Sequence, residues 1–171
     1  MENFRGMVAR VKYDSELSVA GFCERVSKGD LDMSIILDHV LLSHEEVLDL
    51  CNLFIQGAPI HSLSVAECGI DDAGAVLIAN AIRSSAFLRR LDLSGNQISS
   101  VGAVALADAI LDSVSVSSVR IGSNKIGARG RDAFAKVEHA SPELELLGLH
   151  PVSWVESVSR TGSAEIESKL G

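Results

Sequence analysis

The chain has few aromatic residues and few cysteines, and both shortages restrict the structures it can form. Aromatic residues make up only 4% of its 171 positions, whereas hydrophobic residues make up 47%. Such a chain can bury a core, and that core must be aliphatic. The three cysteines, Cys23, Cys51 and Cys68, have no paired spacing, which argues against a disulfide framework and is compatible with a reducing compartment.

The chain also has fewer basic than acidic residues. Lys and Arg number 15 against 23 Asp and Glu, giving a formal net charge of −8. Because phosphate neutralisation supplies most nucleic-acid affinity, this balance argues against nucleic acid and against anionic lipid as partners. No stretch approaches the roughly 18 apolar residues of a membrane helix, and the first ten residues lack a signal-peptide run. We expect a cytoplasmic protein, with a short organelle presequence as an alternative.

Apolar positions recur along the chain at a spacing of 28 residues. The pattern occupies five positions in each unit and extends in part to units before and after the clearest copies. The aligned sets are Ile60, Leu63, Val65, Cys68 and Ile70; Leu88, Leu91, Leu93, Asn96 and Ile98; Val116, Val119, Ile121, Asn124 and Ile126; Ile35, Leu37, Val40 and Leu42 before them; and Leu144, Leu147 and Leu149 after them. Repetition at a fixed period of this length is typical of repeat architectures.

Each unit contains two different periodicities. Residues 88–93 alternate between apolar and polar, as a half-buried strand does. After Gly102, apolar residues follow a spacing of three and four, which predicts one helical stripe. Since one unit cannot bury both faces alone, we predict an α/β solenoid. It would be a short curved horseshoe with parallel strands on the concave side and helices on the convex side.

This pattern resembles the leucine-rich repeat of the ribonuclease-inhibitor-like subtype. The clearest copies are LRRLDLSGNQISSVGAVALADAI at residues 88–110 and IHSLSVAECGIDDAGAVLIANAI at residues 60–82. The resemblance implies that Cys68, Asn96 and Asn124 form a structural ladder by bonding loop backbone. Val40 departs from it in the first unit, and Val152 departs from it in the last.

The repeat pattern divides the chain into three parts. We predict a capping segment at residues 1–31 with one helix near 16–26, although a docking helix is an alternative reading. Residues 32–154 form four repeats and a closing strand, where Trp154 would cover the open end. Residues 155–171 form a polar tail. In the fourth unit Glu138 falls where the helical stripe requires an apolar residue, so either the helix ends early or Val137 is buried instead.

The candidate binding residues are those that alternation places on the concave face, where members of this family usually bind proteins. Arg90, Asp92 and Arg120 form its charged cluster, and pairing among themselves is the simpler alternative. The other outward residues include Ser62, Ser64 and Ser118, and, in the closing strand, Leu146, Gly148 and His150.

The other histidine, acidic and cysteine residues that could suggest a metal or catalytic site are predicted to have structural roles. Ser43 and Glu46 have capping-box spacing, so the nearby His39 and His44 do not indicate a metal. Asp71 and Asp72 precede a helix and are predicted to cap it, and the buried slots of Cys51 and Cys68 predict inert thiols. No nucleophile motif, phosphate loop or metal-ligand spacing is present, so we expect no catalytic residues, metal or cofactor.

The leading hypothesis is a non-catalytic protein-interaction module that serves as a scaffold or structural subunit of a larger assembly, with a cytoskeletal or ciliary location. The alternative is a regulatory adaptor that binds one partner in its concave face, as tropomodulin-type actin cappers or GTPase regulators do. An enzyme is the least favoured class. Association of copies through the solenoid ends is left open.

Overall fold

A computed structural model describes residues 34–149. Strands and helices alternate through this region in four complete units and one closing strand. The strands are β1 (Ser34–Ile36), β2 (Ser62–Ser64), β3 (Arg90–Asp92), β4 (Ser118–Arg120) and β5 (Glu145–Leu147). The helices are α1 (His44–Ile55), α2 (Asp72–Ser84), α3 (Ser100–Asp112) and α4 (Ala128–Ala140).

The five strands form one parallel sheet in chain order. Ile35, Leu63, Leu91 and Val119 lie side by side across the first four strands, in the register that the 28-residue period predicts. All four side chains are buried. The predicted α/β solenoid, with its strands on the concave side and its helices on the convex side, is therefore confirmed.

The core between the strands and the helices is almost entirely aliphatic. The two largest fully buried side chains are those of Phe54 and Phe134, and the other large ones are all Leu or Ile. The helices contribute small residues, such as the fully buried Ala75 and Ala103, which allow neighbouring helices to approach closely. An alanine-rich stripe therefore replaces the aromatic packing that the composition cannot provide.

Glycine in the first turn of a helix makes this close approach possible. A Cβ atom at Gly102 would lie 2.8 Å from the Cβ of Ala75 on the preceding helix, and one at Gly130 would lie 2.9 Å from that of Ala103. In α4 the alanine position is occupied by Arg131, whose guanidinium donates to the Ile126 carbonyl at 2.9 Å. Arg131 therefore places a polar group where the two preceding helices have a small apolar one.

The helix starts are capped by side chains. Ser43 and Glu46 form the predicted capping box, and the Asp71 carboxylate accepts from the Gly74 amide at 2.9 Å. Asp72 does not cap its own helix as expected. Its carboxylate accepts instead from the amides of Ser99 and Gly102, at 2.8 and 2.9 Å, at the start of the next helix.

The fourth helix settles the two readings of Glu138. α4 continues to Ala140, with Val137 fully buried and Glu138 exposed. Val137 therefore takes the buried role, and the helix does not end early. The predicted N-terminal helix, the closing role of Trp154 and the polar tail lie outside the described residues.

Candidate functional site

The concave face consists of the outward side chains of the five strands. Because the strands are parallel and in register, these side chains form rows that run across the sheet. One row contains Ser62, Arg90, Ser118 and Glu145, and the next contains Ser64, Asp92, Arg120 and Leu147. Six of the predicted candidates therefore lie together on one surface, whereas His150 lies outside the described residues.

Within the charged cluster, only one pair is in contact. The Arg120 guanidinium (Nη1) lies 3.8 Å from the Asp92 carboxylate (Oδ2), and the two side chains are 60% and 24% exposed. The other Asp92 oxygen accepts from the Ser94 amide at 3.0 Å. The exposed side chain of Arg90 makes no ion pair or hydrogen bond with another described residue. The cluster is therefore one loose pair and one free guanidinium.

Two further acids flank this pair on the concave face. The Asp38 carboxylate accepts from the Ser64 hydroxyl at 2.6 Å and from the Ala66 amide at 2.9 Å. At the other end, the Glu145 carboxylate accepts from the Ser118 hydroxyl at 3.0 Å. Ser64 and Ser118 thus each donate to a carboxylate of an adjacent unit.

The register of β5 differs from the prediction. Leu146, not Leu147, lies beside Val119, so Leu146 packs against the core and Glu145 and Leu147 lie on the outward rows. The segment between α4 and β5 has four residues, 141–144, where the preceding unit has five, 113–117. This shorter return shifts the strand by one position and reverses its faces. Assigning Leu146 to the concave face was wrong, and Glu145 was missed.

The three ladder residues bond the backbone of adjacent turns. Asn96, which is 4% exposed, accepts from the amides of Cys68 and Ile70 at 3.0 and 2.9 Å. Its amide group donates to the carbonyls of Val65 and Leu93, both at 2.9 Å. Asn124 occupies the same place one unit later, accepting from Ile98 and donating to Leu93.

Cys68 takes this place in the second unit, and its thiol donates to the Leu37 carbonyl at 3.0 Å. A thiol offers no strong acceptor, so the first turn, with Val40 in the ladder position, receives fewer side-chain bonds. Burial raises the pKa of the Cys68 thiol to about 11. The proton is therefore retained at neutral pH, which makes the group a poor nucleophile.

The histidine and acid residues of the first turns do not converge on a metal site. His39 lies 3.1 Å from Glu67 on the exposed surface, and His44 begins α1. Among residues 34–149, no group of three or more His, Cys, Asp or Glu side chains is arranged to hold a metal ion. None of the four described helices has the length and apolar character needed to cross a bilayer.

A small recess lies on the strand-to-helix edge between the first two units. Its volume is about 80 Å³, and it is lined by Leu42, His44, Val47, Gly69, Ile70, Asp71 and Gly74. Binding sites for small molecules usually enclose about 300–1,000 Å³. The recess is therefore too small for an ordinary substrate.

Comparison with known proteins agrees with this geometry. Residues 59–79 and 84–107 match the family model described as Leucine Rich repeat. The tropomodulin C-terminal domain of Caenorhabditis elegans is similar in structure, with a TM-score of 0.70 and 19% identity over 84% of this chain and 88% of that chain. Actin-Binding Site 2 of leiomodin-1 gives the same score and identity over 84% of this chain and 86% of that chain.

No curated protein matches the chain by sequence. At 19% identity, the two structures show a shared fold. The matched repeats, the 28-residue register of the first four strands and the asparagine bonds between turns all lead to one assignment. The chain is a leucine-rich repeat protein.

Proposed function

We propose that this chain is a non-catalytic protein-interaction module that serves as a structural subunit of a larger assembly. The observation that carries the protein-binding role, which the structural subunit and the adaptor below share, is the concave face, a surface of five parallel strands with polar side chains. Such a surface suits contact with another macromolecule, because it offers area and hydrogen-bonding groups without enclosing a small molecule.

An enzyme is disfavoured by the chemistry of the described surface. Catalysis requires convergent polar groups in a site from which water can be excluded. The recess between the first two units holds about 80 Å³, and the Cys68 thiol is buried with a pKa of about 11. Neither feature provides a nucleophile near a substrate-sized cavity.

A second candidate function is an adaptor that binds one partner in the concave face. It is favoured by the free Arg90 and the loose Asp92–Arg120 pair, which lie at the centre of the sheet. One structural neighbour is named for an actin-binding site, so actin is a specific partner to test under this alternative. A cytoskeletal location belongs to the same proposal.

Cross-linking in cells distinguishes the two functions. The tagged chain is purified after cross-linking, and linked peptides are identified by mass spectrometry. Links from the helices and ends to several subunits of one assembly support the structural role. Links from one stoichiometric partner to the concave strands support the adaptor.

Matched charge variants make this experiment quantitative. Arg90→Ser with Arg120→Ser removes two positive charges from the concave face. Arg129→Ser with Lys136→Ser removes two from exposed positions on α4. An adaptor loses its partner only with the first pair, whereas a structural subunit keeps its neighbours with that pair. Failure to recover any protein with either the parent or the variants contradicts both functions. Co-sedimentation with actin filaments tests the named partner directly.

A further inference from the structure

The hydrogen-bonding groups of the concave face are unequally satisfied. Each of its three carboxylates already has donors from this chain: Asp38 has two, Asp92 has the Ser94 amide and the Arg120 contact, and Glu145 has the Ser118 hydroxyl. Each acid is therefore partly satisfied within the chain.

The side chains of the two arginines make few hydrogen bonds within the chain. A guanidinium has five N–H donors and no acceptor. Arg90 uses none of its side-chain donors on another described residue, and Arg120 makes one contact at 3.8 Å, beyond hydrogen-bond length. The two guanidinium groups therefore hold the largest unused hydrogen-bonding capacity at the centre of this surface, and a partner that uses it must bring acceptors.

The positions of the arginines limit the shape of that partner. Arg90 and Arg120 lie on adjacent strands, two residues apart along the strand direction. With strands about 4.8 Å apart and a rise of about 3.3 Å per residue, their Cα atoms are separated by roughly 8 Å. In an extended peptide, side chains two residues apart point to the same side and leave the backbone about 7 Å from each other, which matches this separation.

The surroundings of the arginines leave room for such a peptide. Arg90 lies between Ser62 and Ser118 in its row, and Gly122 follows the strand that carries Arg120. Arg90 therefore has a small neighbour on each side of its row, and Gly122 adds no side chain beyond Arg120.

We propose that the concave face binds an extended acidic segment of a protein partner, with two carboxylates at alternate positions that engage Arg90 and Arg120. This inference rests on the proposed protein-binding function and names the chemistry of its partner. The chain as a whole carries a formal charge of −8, so the attraction is local to the arginines. Arg is well suited to the role because its planar fork can bind a carboxylate through two hydrogen bonds.

A peptide-display selection tests this proposal without knowledge of the natural partner. A random linear library is panned against the full chain, and in parallel against Arg90→Ser/Arg120→Ser and Arg129→Ser/Lys136→Ser. We expect clones enriched in Asp and Glu at alternate positions from the parent and from the α4 variant, and loss of that enrichment with the concave variant.

Affinity measurements on one selected peptide complete the test. In fluorescence anisotropy, each single arginine substitution should weaken binding about three- to tenfold, and the double substitution more than tenfold. Raising the salt concentration should weaken binding to the parent more than to the double variant, because the ion pairs are exposed to solvent.

The outcomes separate this inference from the broader function. Selected peptides that are not acidic, or that bind the concave variant as well as the parent, overturn the inference while leaving a protein-binding function intact. A library that yields no specific clone counts against both. Circular dichroism of every variant must match the parent, and Arg90→Lys provides a second variant that keeps the charge but loses the bidentate geometry.

Discussion

Replacing Asn96 with alanine removes the most heavily bonded ladder side chain among the described residues. Asn96 is 4% exposed and holds the amides of Cys68 and Ile70 and the carbonyl of Val65. Alanine leaves these three buried groups without that partner. A buried polar group without a hydrogen bond costs about 1–3 kcal/mol, so three such groups destabilise the fold by about 3 kcal/mol or more.

Two matched asparagine substitutions serve as comparisons for the loss of stability in Asn96→Ala. Asn124→Ala releases two groups, the amide of Ile98 and the carbonyl of Ile121, from a less buried position, so we expect a smaller loss. Asn80→Ala changes the same residue type at an exposed position of α2, where alanine is a better helix former and stability should be unchanged or slightly raised.

Urea unfolding followed by circular dichroism measures these differences as free energies of unfolding. The expected order of stability is Asn80→Ala, then Asn124→Ala, then Asn96→Ala as the least stable. If Asn96→Ala lies within about 1 kcal/mol of Asn80→Ala, the ladder does not carry the stability assigned to it, and the reasoning from unsatisfied backbone groups is refuted.

Three further predictions follow from the packing. Gly102→Ala should lower the Tm, because the new Cβ at position 102 would lie 2.8 Å from the Cβ of Ala75, and this clash outweighs the advantage of about 1 kcal/mol that alanine has over glycine in a helix. Val101→Ala, at the exposed neighbouring position, is the control. An unchanged Tm for Gly102→Ala would contradict the close contact. Burial raises the pKa of Asp72, but hydrogen bonds from the Ser99 hydroxyl and from the amides of Ser99 and Gly102 outweigh burial and hold that pKa below its ordinary value of 3.8. The stability contributed by Asp72 is therefore present above pH 4 and is lost as pH falls through the depressed pKa. In urea unfolding, the amount by which Asp72→Ala lowers the free energy of unfolding should therefore shrink below pH 4. If that amount is the same at pH 7 and pH 2.5, the linkage is wrong. Finally, iodoacetamide at pH 8 should label Cys68 only as the chain unfolds, since the buried thiol has a pKa of about 11; rapid labelling in the native state, detected by peptide mapping, would show that the thiol is accessible.

Much of the fold could be predicted from local patterns. The alternation around Leu91 and the helical stripe through Ala103 each depend on residues close together in the chain, because burial of one face imposes its period directly. The capping box at Ser43 is equally local, spanning three residues. These features require no knowledge of which units are neighbours.

The register of β5 could not be predicted with the same certainty. Residues 144–149 read LELLGL, which alternates acceptably with either Leu146 or Leu147 in the buried position. The choice depends on the length of the return from α4, which the period of 28 residues does not reveal. Aligning helix ends as well as strands would have indicated the missing residue and placed Glu145 on the concave face.

A column of left-handed backbone also escaped the sequence patterns. His39, Glu67, Gly95 and Ser123 occupy the same place in successive units, and all have φ between 55° and 70°. Their side chains share no property, because the shape of the turn, and not burial of a side chain, selects this conformation. Gly95 has the residue type that such a conformation favours most.

The sequence by itself determined the repeat unit, the buried face of the first four strands and of the helices, and the capping box at the first helix, because each follows from the chemistry of residues near one another in the chain. Only the tertiary structure decided the contacts between units. It directed Asp72 to the start of the following helix and paired Arg120 with Asp92 while leaving Arg90 free. These contacts join residues about one repeat apart, where distance and direction depend on how the units stack.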